Sequence, residues 1–187
     1  MKTNENAMIE TIVFAGGCFW CMEAVFSLLD GIVSIEPGYT GGPTEDPSYE
    51  DVCTGRTGHA EAVRVVYDSS MIRLEELLSI FFTAHNPTTL NSQGPDIGTQ
   101  YRSAIFYTTE AQKNTIQSYI QHLTDSNTFE KPIVTEISEL HSFYPAEKHH
   151  HQYFQKNPHQ MYCQISIRPK LEKVKKQHTS LLKKMDK

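Results

Sequence analysis

Residues 11–23 read TIVFAGGCFWCME, and the fold turns on how that stretch is parsed. Thr11 to Ala15 is a short apolar run, which predicts a buried strand, and Gly16-Gly17 predicts the turn that ends it. From Cys18 the period changes. Met22, Val25, Phe26 and Leu29 fall at i, i+3, i+4 and i+7, one face of a helix that Gly31 closes. The parse is strand, glycine turn, helix, with two thiols at the helix start and two large aromatics between them.

Working outward, Ile32 to Ile35 predicts a second strand and residues 38–57 a long loop of the kind that is usually functional or disordered. Ala62 to Tyr67 is a third strand, and Leu74, Leu77, Leu78 and Phe81 mark a second amphipathic helix. After an irregular stretch, residues 85–100, a fourth strand covers Ser103 to Tyr107. Thr109 and Gln112 form a capping box for a third helix through Ile116, Tyr119, Ile120 and Leu123. Ile133 to Leu140 is expected as an edge strand and Tyr144 to Gln155 as weakly helical. The order β-α-β-β-α-β predicts an α+β two-layer sandwich: a ferredoxin-like, split βαβ core with helices on one face and irregular loops around it. Residues 1–10 are expected to be a flexible N-terminus, 11–165 a single domain, and 166–187 a solvated, partly helical, Lys-rich tail.

The 187 residues suffice to bury a core without disulfide staples. A net charge of −5 with interleaved signs argues against nucleic acid. Neither a membrane-length apolar run nor a signal-peptide core is visible, so a cytosolic protein is expected; a monomer is expected, though nothing in the sequence fixes the oligomeric state. In a reducing compartment four cysteines point to catalysis, metal or plain packing. His149-His150-His151, with His141, His159 and Cys163, offers zinc's preferred residue types, but adjacent helical histidines point apart and no paired CxxC or HxxxH frames them. No metal is assigned.

Cys18 follows two glycines at a helix start, near free N–H groups and the positive end of the helix dipole, a placement expected to favour the thiolate. Cys21, one turn on, lies within disulfide range. Phe19 and Trp20 suggest an apolar box for a small apolar group. Strand, turn and CxxC also suit a general thiol-disulfide oxidoreductase, and the cysteines with the histidines suit a zinc-binding interaction module. Insulin reduction independent of Glu61 would mark the first, stoichiometric metal the second.

At GCFW the sequence resembles the peptide methionine sulfoxide reductase A family. GYTGGPTEDPSYEDVCTGRTGHAEAVRVVYD, HNPTTLNSQGPDIGTQYRSAIFY and FYPAEKHHHQYFQKNPHQMYC continue the likeness in order, from Thr11 to Cys163. The resemblance implies reduction of the S epimer of methionine sulfoxide, free or in proteins, with no cofactor and with thioredoxin or another dithiol as reductant. It implies Cys18 as nucleophile, Glu61 as acid, Phe19 and Trp20 around the methyl group, Tyr49 and Tyr101 on the sulfoxide oxygen, and Asp96 supporting substrate binding. Cys163 aligns with a recycling cysteine that a mobile C-terminal segment could carry inward. Cys21 stands where most members have glycine, and a second glycine-rich recycling motif is missing after Cys163. Cys163 is therefore expected to resolve the sulfenate, with Cys21 as alternative or relay, and Cys53 to be a buried, inert thiol.

Overall fold

The computed structural model describes residues 8–184. Its first half runs β1 (Ile9–Gly16), α1 (Phe19–Phe26), β2 (Ile32–Thr40), α2 (Tyr49–Cys53), β3 (Ala60–Asp68) and α3 (Leu74–Ala84). A two-residue-per-strand hairpin follows, β4 (Ser92–Gln93) and β5 (Asp96–Ile97), then a 3-10 turn (Thr99–Tyr101), β6 (Ser103–Tyr107) and α4 (Glu110–Asp125). The last part contains β7 (Glu136–Glu139), β8 (Phe143–Pro145), a 3-10 turn (Lys148–His150), α5 (Tyr153–Lys156), a π-helical turn (Cys163–Ile167) and α6 (Arg168–Gln177).

One six-stranded sheet, in the order β7-β6-β1-β3-β2-β8, carries the molecule. The central four strands pair antiparallel, with Phe14 opposite Val63 on one side and Ile105 on the other. β7 joins the edge parallel to β6, where the sequence pattern predicts an edge strand. β8 pairs with β2 through Tyr39 and Tyr144, so the start of the stretch expected to be helical is a strand. Strand alternation divides the core. Ile12, Phe14, Val63, Val65, Tyr67 and Ile105 face the helices, and Val13, Ala15, Ala60, Ala62, Ala104 and Phe106 face the other way, under Leu140 and Phe143.

α1 lies in the middle of the helical layer. Seven of its eight residues are buried, so it is apolar nearly all round rather than one-faced. Gly17, at φ +87°, makes the turn into it, and a Cβ there would stand 2.6 Å from the Gln93 side chain. Both left-handed backbone and close approach require glycine. In α4 Thr109 caps the Gln112 N–H as expected, while Gln112 Oε1 reaches back to the N–H of Thr108.

The C-terminal segment is a correction to the sequence reading. Residues after 165 form no solvated tail: Ile167, Leu171 and Val174 are buried in the main core, and Leu182 bridges to Leu29. Lys173, Lys175 and Lys176 face solvent, because the apolar residues sit at i, i+4 and i+7 and turn the lysines outward. Of the segment expected to be a flexible N-terminus, Ile9 and Glu10 are part of β1; residues 1–7 lie outside the described residues, as do 185–187. No described helix is long and apolar enough to cross a membrane.

Candidate active site

Cys18 occupies the N-cap position of α1 at the C-terminal end of β1, with only 6 % of its surface exposed. Glu61 follows Ala60 at the start of β3. Since Ala60 and Ala62 face the far side of the sheet, alternation turns Glu61 toward α1. Its Oε2 accepts the N–H of Phe19 at 3.0 Å, and 2 % of the residue is exposed. Burial, followed by the charges of Asp96 and Cys21, raises its pKa to about 8, although the Phe19 N–H pulls the other way. At neutral pH Glu61 carries its proton.

The same burial overturns the expectation for Cys18. Its thiol is pushed well above the ordinary cysteine value by burial, then by the Cys21 sulfur and the Glu61 carboxyl. The helix N-terminus does not dominate because the first N–H of α1 is already bonded to Glu61. Cys21 is lowered to about 7, chiefly by the neighbouring Cys18 thiol. Two thiols in contact titrate as a pair, the first charge shared and the second opposed by it. The dithiol, rather than the helix end, makes a thiolate accessible near neutral pH.

Around the thiols stands an aromatic cluster. Phe19 packs against Tyr39 at 5.8 Å, Tyr49 at 6.4 Å and His150 at 5.2 Å between ring centroids. Trp20 stacks on Tyr153 at 3.7 Å and 6°, and its Nε1–H donates to His150 Nδ1 at 3.2 Å. Tyr49, first residue of α2, is held by a Ser48–Asp51 capping box and by Glu147, whose Oε1 accepts the Tyr49 N–H at 2.9 Å. Tyr101 closes the 3-10 turn before β6. Burial first, with Glu61 behind it, keeps both Tyr49 and Tyr101 neutral hydroxyl donors.

Asp96, on the β4–β5 hairpin, accepts the Tyr162 hydroxyl at 2.7 Å. That hydroxyl also lies 3.8 Å from the Cys21 sulfur and within reach of Cys18. Sequence reasoning passed over Tyr39 and Tyr162 and gave Glu147 and His150 no role at the site; these residues are separated from Cys18 by 21 to 144 positions and gain their place only through the sheet and the C-terminal wrap. The one available signal was the clustering of polar and aromatic residues in FYPAEKHHHQYF.

Two cysteines depart from expectation. Cys163 is not on an open segment: it is fully buried at the start of the π-helical turn, packed in the main core, with the Cys21 charge contributing after burial to raise it. Cys53 is exposed, not buried, at the C-terminal end of α2, near the Tyr49 side chain. The short α2 puts only Val52 into the core and leaves Cys53 on the outside. All four thiols are free. A separate cleft of about 370 Å³ behind α1 is bordered by Glu23, Ile35 and Lys183. Glu23 is structural there, accepting the N–H groups of Gln152 and Tyr153.

The peptide methionine sulfoxide reductase family profile matches residues 10–182. A relative from Trichodesmium erythraeum, named peptide methionine sulfoxide reductase MsrA, is 51 % identical over 90 % of this chain and 96 % of its own. The crystal structure of reduced Mxr1 from Saccharomyces cerevisiae superposes with a TM-score of 0.78 at 36 % identity, covering 87 % of this chain and 92 % of that one. Mxr1 in complex with Trx2 superposes at 0.56, with 26 % identity over 82 % and 89 % of the two chains. A mixed fold with a curled six-stranded sheet agrees with these likenesses: the chain belongs to the peptide methionine sulfoxide reductase family and is an enzyme that reduces peptide methionine sulfoxide.

Proposed function

We propose that the protein reduces the S epimer of methionine sulfoxide, free or in proteins, by attack of Cys18 on the sulfoxide sulfur with Glu61 as proton donor. The observation that carries the proposal is the Glu61 carboxyl, buried, protonated at neutral pH and bonded to the N–H of the residue after Cys18. A sulfoxide sulfur is a poor electrophile until its oxygen is protonated, so nucleophile and acid must face one substrate together. Neutral Tyr49 and Tyr101 hydroxyls stabilise the oxygen without adding charge. Phe19 and Trp20 hold the methyl group. Asp96 orients Tyr162 beside the sulfurs.

The balance is direct. The Cys18 sulfur takes the oxygen and becomes a sulfenic acid, the substrate leaves as methionine, and the thiol proton replaces the one that Glu61 gives. A second thiol then condenses with the sulfenate, releasing water and leaving a disulfide. Cys21, one helical turn from Cys18, is the partner that proximity favours. Cys163, buried in the same core cluster as Cys21, would then take over that disulfide by exchange. A dithiol of the thioredoxin type returns both thiols to the reduced state; the Mxr1–Trx2 complex supports that choice. No other cofactor is required. The antiparallel order β6-β1-β3-β2, with helices in both crossovers, supports reading the core as ferredoxin-like.

The test is one turnover of methyl p-tolyl sulfoxide without reductant. Only the S enantiomer should be consumed, and mass spectrometry should find Cys18–Cys21 or Cys21–Cys163 disulfide. Undiminished consumption by a Cys18→Ser protein would overturn the proposal.

A further inference from the structure

The methyl pocket stands on a residue that the chemistry above does not use. The Trp20 indole is held from two sides, its face on Tyr153 and its Nε1–H on His150 Nδ1. An N–H can donate only to a bare ring nitrogen, so His150 is neutral and carries its proton on Nε2. That Nε2 is buried and has no hydrogen-bond partner; the Glu147 carboxylate lies 3.8 Å away. Glu147 is itself fastened, with Tyr39 donating to Oε2 at 2.8 Å and the Tyr49 N–H to Oε1 at 2.9 Å. The His150 ring is 2 % exposed and lies 5.2 Å from Phe19, 5.7 Å from Trp20 and 4.4 Å from Tyr49. One imidazole thus touches both proposed walls of the methyl pocket and one proposed oxygen donor.

We propose that His150 is a positioning residue for substrate. Its neutral Nδ1 fixes the orientation of Trp20 and so the geometry in which a methyl sulfoxide meets Cys18, and the Glu147 carboxylate selects the tautomer that leaves Nδ1 bare. This rests on the reading of Phe19 and Trp20 as the methyl pocket. Protonating His150 would set a second N–H against the indole N–H and abolish the bond, so acid loosens the pocket. The groups facing the ring are His149, at 4.1 Å between rings, His151 and Glu147 on its own segment, Tyr49 and Glu50 from α2, and Trp20 from α1. Burial first, then His149, hold His150 below the ordinary value of 6.5, so the neutral form prevails at neutral pH.

Trp20 is the single tryptophan of the chain, and its emission reports on this bond directly. In the reduced wild-type protein, emission should change in one step at a pH below 6.5, and the KM for methyl p-tolyl sulfoxide should rise about tenfold through the same step. His150→Asn places an amide oxygen near Nδ1 that does not titrate; it should keep the neutral-pH KM within about twofold and lose both acid steps. His150→Phe keeps the ring but not the acceptor, and its KM should be about tenfold higher at every pH. An emission step that persists in His150→Asn, or wild-type emission and KM in His150→Phe, would overturn the proposal. If the Phe variant fails to fold, the wild-type and Asn titrations decide the matter. The emission arm needs no turnover, so its failure leaves the Cys18 chemistry standing, and failure of that chemistry in the Cys18→Ser test leaves the emission arm readable.

Discussion

Two carboxylates flank the aromatic cluster, and their surroundings send them in opposite directions. Glu61 comes from an inward position of a central strand, is almost wholly buried and has one N–H to satisfy it; its pKa is raised to about 8. Glu147 comes from a surface-lying segment with its side chain 37 % exposed. Burial raises it too, but bonds from the Tyr49 N–H, its own N–H and the Tyr39 hydroxyl outweigh burial and hold it below the ordinary carboxylate range. One residue type thus keeps its proton in one place and stands as a fixed negative anchor in the other. The count of donors to the charged form decides which, since each such bond favours ionisation and burial alone disfavours it.

The largest test of that contrast is kinetic. Glu61→Gln should slow single-turnover methionine formation by about 10²–10⁴-fold, the usual contribution of a positioned acid, whereas Glu147→Gln should stay within about tenfold. In the wild type the rate should fall as pH rises through about 8, where Glu61 loses its proton, and the fall should be missing from Glu61→Gln. Equal losses in the two variants would break the distinction.

The next effect is on stability, and its sign follows from the direction of each shift. Glu61 has a folded pKa above its ordinary 4.5, so its stabilising contribution is complete below 4.5 and is lost as pH rises toward about 8. The stability of Glu61→Gln relative to wild type should therefore improve by about 3 kcal/mol between pH 4 and pH 7, measured by urea denaturation. Glu147 behaves in reverse. Its contribution is present above the ordinary carboxylate pKa and is lost as pH falls through its lowered value. Partial exposure screens it, so Glu147→Gln should lose no more than about 1 kcal/mol at pH 7, with the difference vanishing in acid.

The smallest effect sharpens the comparison among thiols. Cys53→Ser retains a side-chain oxygen near Tyr49 and leaves the Cys18–Cys21 pair intact, so reductant-coupled turnover should change less than about twofold. A larger loss would place Cys53 in the electron path.

Much of this molecule was legible along the chain. The change of period at Cys18, the glycine turn and the alternation in AEAVRVVY led to the strands and helices that carry the candidate site, and the family resemblance pointed to Cys18, Phe19, Trp20, Tyr49, Glu61, Asp96 and Tyr101 as its proposed residues. The C-terminal third was misread for a physical reason. Residues 166–177 have a Lys-rich composition but bury Ile167, Leu171 and Val174 in a narrow stripe, which charge counting overlooks. Short elements such as α2 and β8 carry too few periodic residues to announce themselves, so the exposure of Cys53 was not visible either.

The sequence by itself determined the local setting of the proposed reacting groups, because a turn at Gly17 and a two-residue strand period depend on neighbouring residues alone. Only the tertiary structure decided their ionisation and their supports. Burial and donor count are properties of three-dimensional surroundings: they raise Cys18 where a helix end was expected to lower it, protonate Glu61, ionise Glu147 and bring His150 from position 150 to the indole at position 20.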